Sequence, residues 1–397
     1  MKNFEDFKID KWIHKQAAKS KTPLHGSVIG AISLCELQSY APDEEIIDTD
    51  LTLDYGASQG TGKLRERIAA MYSSPETGVN FTADNVVVTT GSTLANYLVL
   101  SILAGPGDHV ICQYPTYSQL FLVPQYQGTE VSLWKLKRVP DSWAASLDEL
   151  KSMIRPNTKA IIINNPNNPT GAVLSHSTLV SLISLTSNHP HITLLSDEVF
   201  RPLFHSPTNP PPPSLLTLNR PNSAVTASLS KAYGLPGIRI GWIVSTSLPL
   251  LDRIMSVRHY TTLSVSQLDQ QVAAFALSPE VYPQIITKNL EICRRSIAVI
   301  AEFVERNKTR VEWIPPAGAG VAVLRVRDKE GGYVSDVRFA GGLVQETGVS
   351  LVPVEYCFGE PEGRDGELEG CFRVSLGEGE EVLRRALGVV EGYLGRV

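Results

Sequence analysis

Short apolar segments alternate with longer, helix-like segments throughout residues 60–245 of this chain. Apolar runs of this length, bounded by turn-forming residues, are typical of strands that are buried on both faces of a sheet. The segments between them leave room for the crossover helices that join parallel strands. The alternation therefore predicts an α/β fold built on a mostly parallel sheet. The predicted strands are 85–90, 109–112, 159–163, 192–195 and 224–227.

The pattern changes near residue 269. A long helical stretch covers 285–307, strand-like segments follow at 321–326 and 371–375, and a closing helix begins at Glu380. This order predicts a second, smaller α+β unit. With 397 residues, 43% of them hydrophobic, the chain is large enough for two domains. We expect an N-terminal arm with part of the small domain in 1–50, a large domain in 51–270 and a small C-terminal domain in 271–397.

Charge and cysteine content narrow the class of protein. The chain has 36 basic and 41 acidic residues, a net charge of -5, without the basic excess of a nucleic-acid-binding surface. The five cysteines are widely spaced and form no CxxC pair, so we expect no metal site and a reducing compartment. The N-terminal segment lacks the apolar core of a signal peptide, and no run reaches the about 18 apolar residues of a membrane span. These features predict a soluble cytoplasmic protein that binds neither nucleic acid nor membranes.

The first motif is Gly91-Ser92-Thr93, which follows the predicted strand 85–90 and opens an apolar helix over 94–103. A strand that leads through a glycine turn into a helix can bind an anion with the free N–H groups of the first helical turn. The same three residues also serve as an ordinary turn and cap. The motif lacks the GK[ST] ending of a Walker A loop.

Two further motifs follow buried strands. The sequence NNPNNPTG at 164–171 predicts a rigid turn at the carboxyl edge of the sheet, where open α/β folds bind ligands. A loop of turn-forming residues is the structural alternative. In LLSDEVF at 194–200, Asp197 ends an apolar strand, and a carboxylate there is costly to bury without a cationic partner. A helix N-cap is the alternative for Asp197.

The fourth motif, SLSKAYGLPGIRIGW at 228–242, brackets one lysine with serines and glycines. Burial lowers the pKa of a lysine, so Lys231 can form a Schiff base as a neutral amine. The glycines let the backbone approach a ligand closely, and the planar guanidinium of Arg239 suits a phosphate. The alternative is a lysine at a helix start with a structural arginine.

In this order, the four motifs resemble those of the class I/II aminotransferase family of fold-type-I pyridoxal-phosphate enzymes, over nearly the whole chain from about residue 50. The resemblance implies a seven-stranded-type, mostly parallel sheet sandwiched by helices, with pyridoxal 5′-phosphate as the cofactor. It implies that Lys231 carries the Schiff base, that Asp197 pairs with the pyridine nitrogen and that Asn168 hydrogen-bonds the ring's phenolic oxygen and helps to bind the substrate.

The resemblance also implies roles around these residues. Tyr117 would stack on the ring, and Arg373 would bind the substrate α-carboxylate. Tyr55 would reach the phosphate of the neighbouring subunit, which implies a homodimer with shared sites. A packed tyrosine is the alternative at both tyrosine positions, and a surface arginine is the alternative at Arg373. The predicted phosphate-binding residues of the same chain are Gly91, Ser92, Thr93, Ser228 and Arg239.

The chain departs from the family pattern in two places. Phe200 occupies the position of a tyrosine that hydrogen-bonds the phenolic oxygen in typical aminotransferases, and a phenylalanine cannot make that bond. The segment LHGSVIGAISLCEL at 24–37 differs from the usual substrate-gating stretch and more nearly resembles amino-acid cyclases of the capreomycidine-synthase type.

Three functions follow from these residues. The first is an aminotransferase that exchanges amino and keto groups between an amino acid and a keto acid. The second is a lyase or cyclase of specialised metabolism that eliminates a β- or γ-substituent, then adds a nucleophile or closes a ring. The third is a non-catalytic regulator with the same fold, against which the intact Lys231, Asp197 and Arg239 argue. The substrate side chain is not predicted, since no second carboxylate-binding arginine is identifiable.

Overall fold

The structure of the protein, a computed structural model, describes residues 6–206, 210–360 and 366–396. Its strands are β1 (Thr22–Pro23), β2 (Val86–Thr90), β3 (His109–Tyr114), β4 (Glu130–Val139), β5 (Ser142–Ala145), β6 (Thr158–Asn164), β7 (Thr193–Asp197), β8 (Ser223–Ser228), β9 (Ile240–Ser245), β10 (Val311–Trp313), β11 (Val321–Val326), β12 (Val349–Ser350), β13 (Val352–Pro353) and β14 (Cys371–Ser375).

The α-helices are α1 (Lys8–Ala17), α2 (Leu34–Ser39), α3 (Gly62–Tyr72), α4 (Gly91–Leu103), α5 (Gln119–Tyr126), α6 (Leu147–Met153), α7 (His176–Ser187), α8 (Leu248–Arg258), α9 (Gln267–Ala276), α10 (Tyr282–Arg306), α11 (Asp336–Thr347), α12 (Val354–Phe358) and α13 (Glu380–Leu394). Short 3₁₀ helices occur at Ala83–Asn85, Leu215–Leu218 and Pro236–Ile238.

The large sheet has the strand order β2-β9-β8-β7-β6-β3-β4-β5. Its centre, from β8 to β4, is parallel, whereas β9 runs antiparallel to both of its neighbours. This confirms the predicted α/β fold and all five predicted strands. The expected seven strands are joined by an eighth, β5, which pairs antiparallel with the edge strand β4. The hairpin forms because Pro140 and Asp141, two turn-forming residues, separate the paired residues Val139 and Ser142.

Helices cover both faces of this sheet. Successive residues of a strand point to opposite faces, so each central strand contributes apolar side chains to two cores. Ile162 and Leu195 belong to a core with apolar residues of α4, α5 and α8. Their neighbours Ile161 and Leu194 belong to the larger core on the other face, which includes residues of α3, α7 and α9. Both faces are therefore buried, which explains why the strands read as continuous apolar runs.

The second sheet has the order β10-β11-β14-β13 and is antiparallel throughout. The strand β1 pairs in parallel with β12, which lies just before β13 in the chain. N-terminal residues thus pair with the C-terminal part of the chain, although the exact domain division remains a prediction. None of the described helices is long and apolar enough to cross a membrane.

Candidate active site

A cavity of about 340 Å³ lies where the carboxyl ends of the central strands meet the start of α4. Asn164 and Asp197 reach it from the ends of β6 and β7, and Lys231 from the turn after β8. Arg373 reaches it from β14, so both sheets contribute. The topology thus brings together residues that are far apart in the sequence, at the edge where open α/β sheets bind ligands.

Lys231 lies in a turn, so the alternative of a helix-start lysine is wrong. Its Nζ donates a hydrogen bond of 2.9 Å to Ser27 Oγ. Burial lowers the pKa of Lys231 to about 8; the charges of Arg373 and Arg239 lower it too, against an opposing contribution from Asp10. A useful fraction of the amine is therefore neutral near physiological pH, the form that attacks a carbonyl carbon.

Asp197 is the last residue of β7 and is only 2% exposed. Its Oδ2 accepts a hydrogen bond of 2.9 Å from Asn96 Nδ2, and its Oδ1 accepts one of 3.0 Å from the Val199 N–H. No helix follows, so the helix N-cap alternative is wrong. Burial raises the pKa of Asp197 to about 6, although the two hydrogen bonds oppose this increase.

Among the described residues, no cationic side chain forms an ion pair with Asp197. A buried carboxylate without a cation is costly, and a ligand that brings a positive charge would remove this cost. The ring nitrogen of pyridoxal phosphate, when protonated, is such a group. The residues present therefore fit this cofactor.

Asn96, which the sequence analysis missed, holds Asp197 in place. It is buried on α4, and its Oδ1 accepts a hydrogen bond of 2.5 Å from Thr226 Oγ1 on β8. The signal in the sequence was an amide within the apolar stretch 94–103, because a buried amide requires partners. Its own donor is used on Asp197, which favours the ionised carboxylate.

An anion site lies at the start of α4. Ser92 and Thr93 line the cavity in the first helical turn, and Arg239, the residue before β9, lines it too. Gly91 lies outside the lining, but it has φ +78°, and a Cβ there would be 2.3 Å from the Arg239 guanidinium. Only glycine therefore allows Arg239 to lie against the helix N-terminus, where free N–H groups and a guanidinium together suit a phosphate.

Two serines precede Lys231, and Ser230 lines the cavity, whereas Ser228 was the one expected there. Ser228 is fully buried outside the cavity lining, and its Oγ accepts a hydrogen bond of 3.2 Å from the Ser230 N–H. Ser230 lines the cavity instead and accepts a hydrogen bond of 3.3 Å from Arg239. The structure places Ser228 behind the turn because it ends β8, and strand residues alternate in direction.

Arg373 is 3% exposed, so the alternative of a surface arginine is wrong. Its two terminal nitrogens donate to Asn168 Oδ1 at 2.9 Å and to the His25 carbonyl at 2.7 Å. Burial lowers the pKa of Arg373 to about 10, which leaves the guanidinium charged at neutral pH. Because the Asn168 oxygen accepts from Arg373, its amide N–H groups remain as donors for a ligand.

Tyr117 and Phe200 complete the walls of the cavity. Tyr117 hydrogen-bonds with the side chain of Thr93, and burial raises its pKa to about 12, so the phenol stays neutral. Phe200 is buried beside Val199 and brings no hydroxyl group to this wall. Tyr55, in contrast, is 81% exposed and lies outside the cavity of its own chain.

The N-terminal segment contributes residues that sequence reasoning missed. Ile9, Asp10 and Ile13 on α1 line the cavity, and so does the segment 25–28. The difference of 24–37 from the usual gating stretch indicated a changed substrate region. No comparable signal marked α1, which is far in sequence from the strand-end motifs.

The chain is similar to known proteins in both sequence and structure. The family model of class I and II aminotransferases matches residues 36–390. Capreomycidine synthase of Streptomyces vinaceus is 31% identical over 322 residues, which are 80% of this chain and 78% of that protein.

Two solved structures are similar over the full length of this chain. A pyridoxal-phosphate-dependent aminotransferase of Streptococcus suis 89-1591 has a TM-score of 0.86 and 30% identity, covering 100% of this chain and 99% of its own. The pyridoxal-phosphate-dependent cyclase OrfR has a TM-score of 0.85 and 26% identity, covering 100% and 98%. The chain therefore belongs to the family of class I and II aminotransferases, and its cofactor is pyridoxal 5′-phosphate.

Proposed function

We propose that the protein binds an α-amino acid and transfers its amino group to a keto acid, with Lys231 as the residue that forms the Schiff base. The observation that carries this proposal is the content of one cavity. It holds a lysine whose pKa is lowered to about 8, a buried carboxylate without a cation, and two arginines on separate walls. A non-catalytic regulator would not need this lysine.

Each residue has a distinct task. The cofactor, when bound, supplies a ring that accepts the electron pair left when a bond at Cα breaks. Asp197 holds a proton at the ring nitrogen, and Asn96 keeps this carboxylate oriented and ionised. Lys231 Nζ lies at the cavity wall, where it can move a proton from the substrate Cα. Ser92, Thr93, Ser230 and Arg239 bind the phosphate.

Arg373 sets which bond at Cα reacts. A guanidinium binds a carboxylate through two parallel hydrogen bonds, which fixes the orientation of the group. Its Nε is buried and has no hydrogen-bond partner among the described residues. With the α-carboxylate bound to Arg373, the orientation of the substrate decides which bond at Cα stands perpendicular to the cofactor ring and therefore breaks.

A second candidate is a lyase or cyclase that removes a β- or γ-substituent and closes a ring. Phe200 favours it, because the wall beside Asp197 lacks the hydroxyl of typical aminotransferases and the fate of the electron pair can differ. The likeness to capreomycidine synthase and to OrfR also supports it. Both candidates use the same residues at Cα.

One experiment separates the two. The purified protein, loaded with cofactor, is mixed with single amino acids while its absorbance is followed. Transamination is expected to give one equivalent of keto acid and the amine form of the cofactor. Elimination or cyclisation would instead give a changed carbon skeleton with the cofactor unchanged. A protein that reacts with no amino acid would contradict both candidates.

Phe200→Tyr is expected to shift the pH at which the absorbance of the bound cofactor changes. A phenol donor to the ionised ring oxygen would be worth about 1.5–3 kcal/mol, or about one to two pKa units. Since the new phenol competes with Asn168, we expect a shift near one unit and a changed ratio of transamination to other reactions at Cα. Absorbance titrations of both forms measure it.

Phe81→Tyr is the matched control, because Phe81 is buried away from the cavity. This control should leave the titration unchanged. Superimposable curves for Phe200→Tyr and the wild type would show that the side chain at position 200 lies away from the ring.

We also propose that the active form is a homodimer in which Tyr55 reaches the phosphate of the other subunit. Tyr55 is exposed beside Leu53, which is 74% exposed, and Tyr260 is 93% exposed. Contiguous exposed apolar surface is typical of sites that bind another protein, and Leu53 and Tyr55 are only two residues apart in the chain.

Hybrid dimers of Tyr55→Phe and Lys231→Ala should therefore regain activity. One of their two sites would combine an intact Lys231 with an intact Tyr55 from the opposite subunit. The control is a mixture of Tyr55→Phe with the double variant Tyr55→Phe/Lys231→Ala, since no site in that mixture has both Tyr55 and Lys231. Absence of rescue after confirmed subunit exchange would place Tyr55 outside the partner's site.

A further inference from the structure

We infer that the substrate carries a positively charged side chain and that the Asp10 carboxylate binds it. This inference rests on the proposed function and names the class of amino acid on which it acts. The chemical class is an α-amino acid with an ammonium or guanidinium group at the end of an apolar chain.

The charged residues of the cavity support this assignment. Among the described residues, the carboxylates, ammonium and guanidinium groups of its lining belong to Asp10, Asp197, Lys231, Arg239 and Arg373. The cofactor accounts for Asp197, Lys231 and Arg239, and the α-carboxylate of the substrate accounts for Arg373. One carboxylate, that of Asp10, is therefore left for the side chain of the substrate.

The residues around Asp10 suit such a side chain. Ile9 and Ile13 flank it on the same wall, one residue before and three residues after it on α1. Ile13 lies on the same helical face as Asp10, because three residues separate them, and Ile9 and Ile13 are neighbours four residues apart. An apolar stretch beside a carboxylate matches a substrate that has methylene groups between its Cα and a terminal cation.

The position of α1 is fixed on both sides. Trp12 Nε1 donates a hydrogen bond of 3.0 Å to the Leu351 carbonyl, and the Trp12 ring contacts Tyr356. The Phe7 ring lies edge-on to Tyr117, with 5.3 Å between ring centroids. Phe7, the residue that precedes α1, is thus packed against a residue that lines the cofactor cavity, and Asp10, an exposed residue of α1, is held beside that cavity.

A carboxylate in the first turn also stabilises a helix, through its favourable interaction with the helix dipole. That role alone does not place Asp10 in the lining of the cavity. The negative charge of Asp10 raises the pKa of both Lys231 and Arg373, which shows that its field reaches the site. Asp10 forms no ion pair within the part of the chain that the structure describes, so its carboxylate can pair with a ligand.

Two pairs of amino acids of similar shape and different charge test the inference. Arginine is compared with citrulline, and lysine with norleucine. Each is mixed with the cofactor-loaded protein in a stopped-flow instrument. The concentration dependence of the absorbance change gives an apparent dissociation constant, and its plateau gives a rate. We expect at least one cationic member to bind about tenfold more tightly than its neutral counterpart.

Asp10→Asn should remove this preference by weakening the binding of the cationic member alone. Asp6→Asn is the control, because Asp6 is an exposed carboxylate of the same segment that pairs with Lys11 outside the cavity. Thermal unfolding of both variants checks that α1 remains folded.

The outcomes are distinct. If cationic and neutral members bind equally to the wild type, the inference is wrong, while the proposed function stands. If Asp10→Asn weakens both members to the same extent, Asp10 stabilises the helix and does not bind the substrate cation. If no amino acid binds, the proposed function itself is wrong.

Discussion

Lys231→Ala should lose all measurable turnover while it keeps its fold. The expected role of Lys231 is covalent, so no other side chain of the cavity replaces it. We expect no loss of thermal stability, because the buried amine lies near the charges of Arg373 and Arg239, which lower its pKa. Removing it relieves that repulsion. Steady-state rates and the unfolding temperature of both forms measure the two expectations.

Borohydride reduction followed by peptide mass spectrometry identifies the covalent link directly. The cofactor should be attached to the peptide that contains Lys231 in the wild type and should be absent from the variant. Lys159→Ala is the control, since Lys159 is a partly exposed lysine near Asp108 and outside the cavity. Full activity of Lys231→Ala would make the whole proposed function wrong.

Asp197→Asn should lower kcat/KM by about a hundredfold to several thousandfold. Removing one partner of a buried charge pair costs about 3–5 kcal/mol, which corresponds to that range of rates. The asparagine has nearly the same shape, so the fold should persist. Rates measured with excess cofactor separate slower chemistry from weaker cofactor binding.

The wild type should also bind the cofactor more weakly as the pH falls through about 6. Burial raises the pKa of Asp197 to about 6 in the free protein, and the carboxyl is neutral below that value. A neutral carboxyl no longer attracts a protonated ring nitrogen. Asp197→Asn should lack this pH dependence, whereas the surface variant Asp108→Asn should retain it. An unchanged rate and an unchanged pH profile in Asp197→Asn would remove Asp197 from the site.

The sequence was sufficient to predict the sheet because its strands are buried on both faces. Segments such as 160–163 contain only apolar residues, and a parallel sheet that is covered on both faces accommodates them. The edge strand β5 was missed because Ser142–Ala145 is short and only one of its four residues is buried. Its pairing depends on the neighbouring strand and not on its own composition.

The strand-end motifs predicted most of the cavity for a similar reason. Parallel strands bring their carboxyl ends to one edge, so residues that follow different strands meet there. Asn96 was missed because its partner Asp197 is 101 residues away and nothing near Asn96 in the sequence indicates that contact. Ser228 was assigned to the cavity in place of Ser230, since the direction of a side chain at a strand end depends on the register.

If Asp10 binds the substrate side chain as proposed, different parts of this chain supply the chemistry and the choice of substrate. The residues proposed to act on the cofactor are held mainly by the central strands, where almost any change disturbs a packed core. The first turn of α1 contacts the same cavity from a peripheral helix. The less buried positions of this helix, Asp10 and Ile13, should therefore tolerate change with little penalty to folding or to the reaction at Cα. For protein engineers, residues 10 and 13 are positions at which new specificities can be sought without rebuilding the catalytic residues.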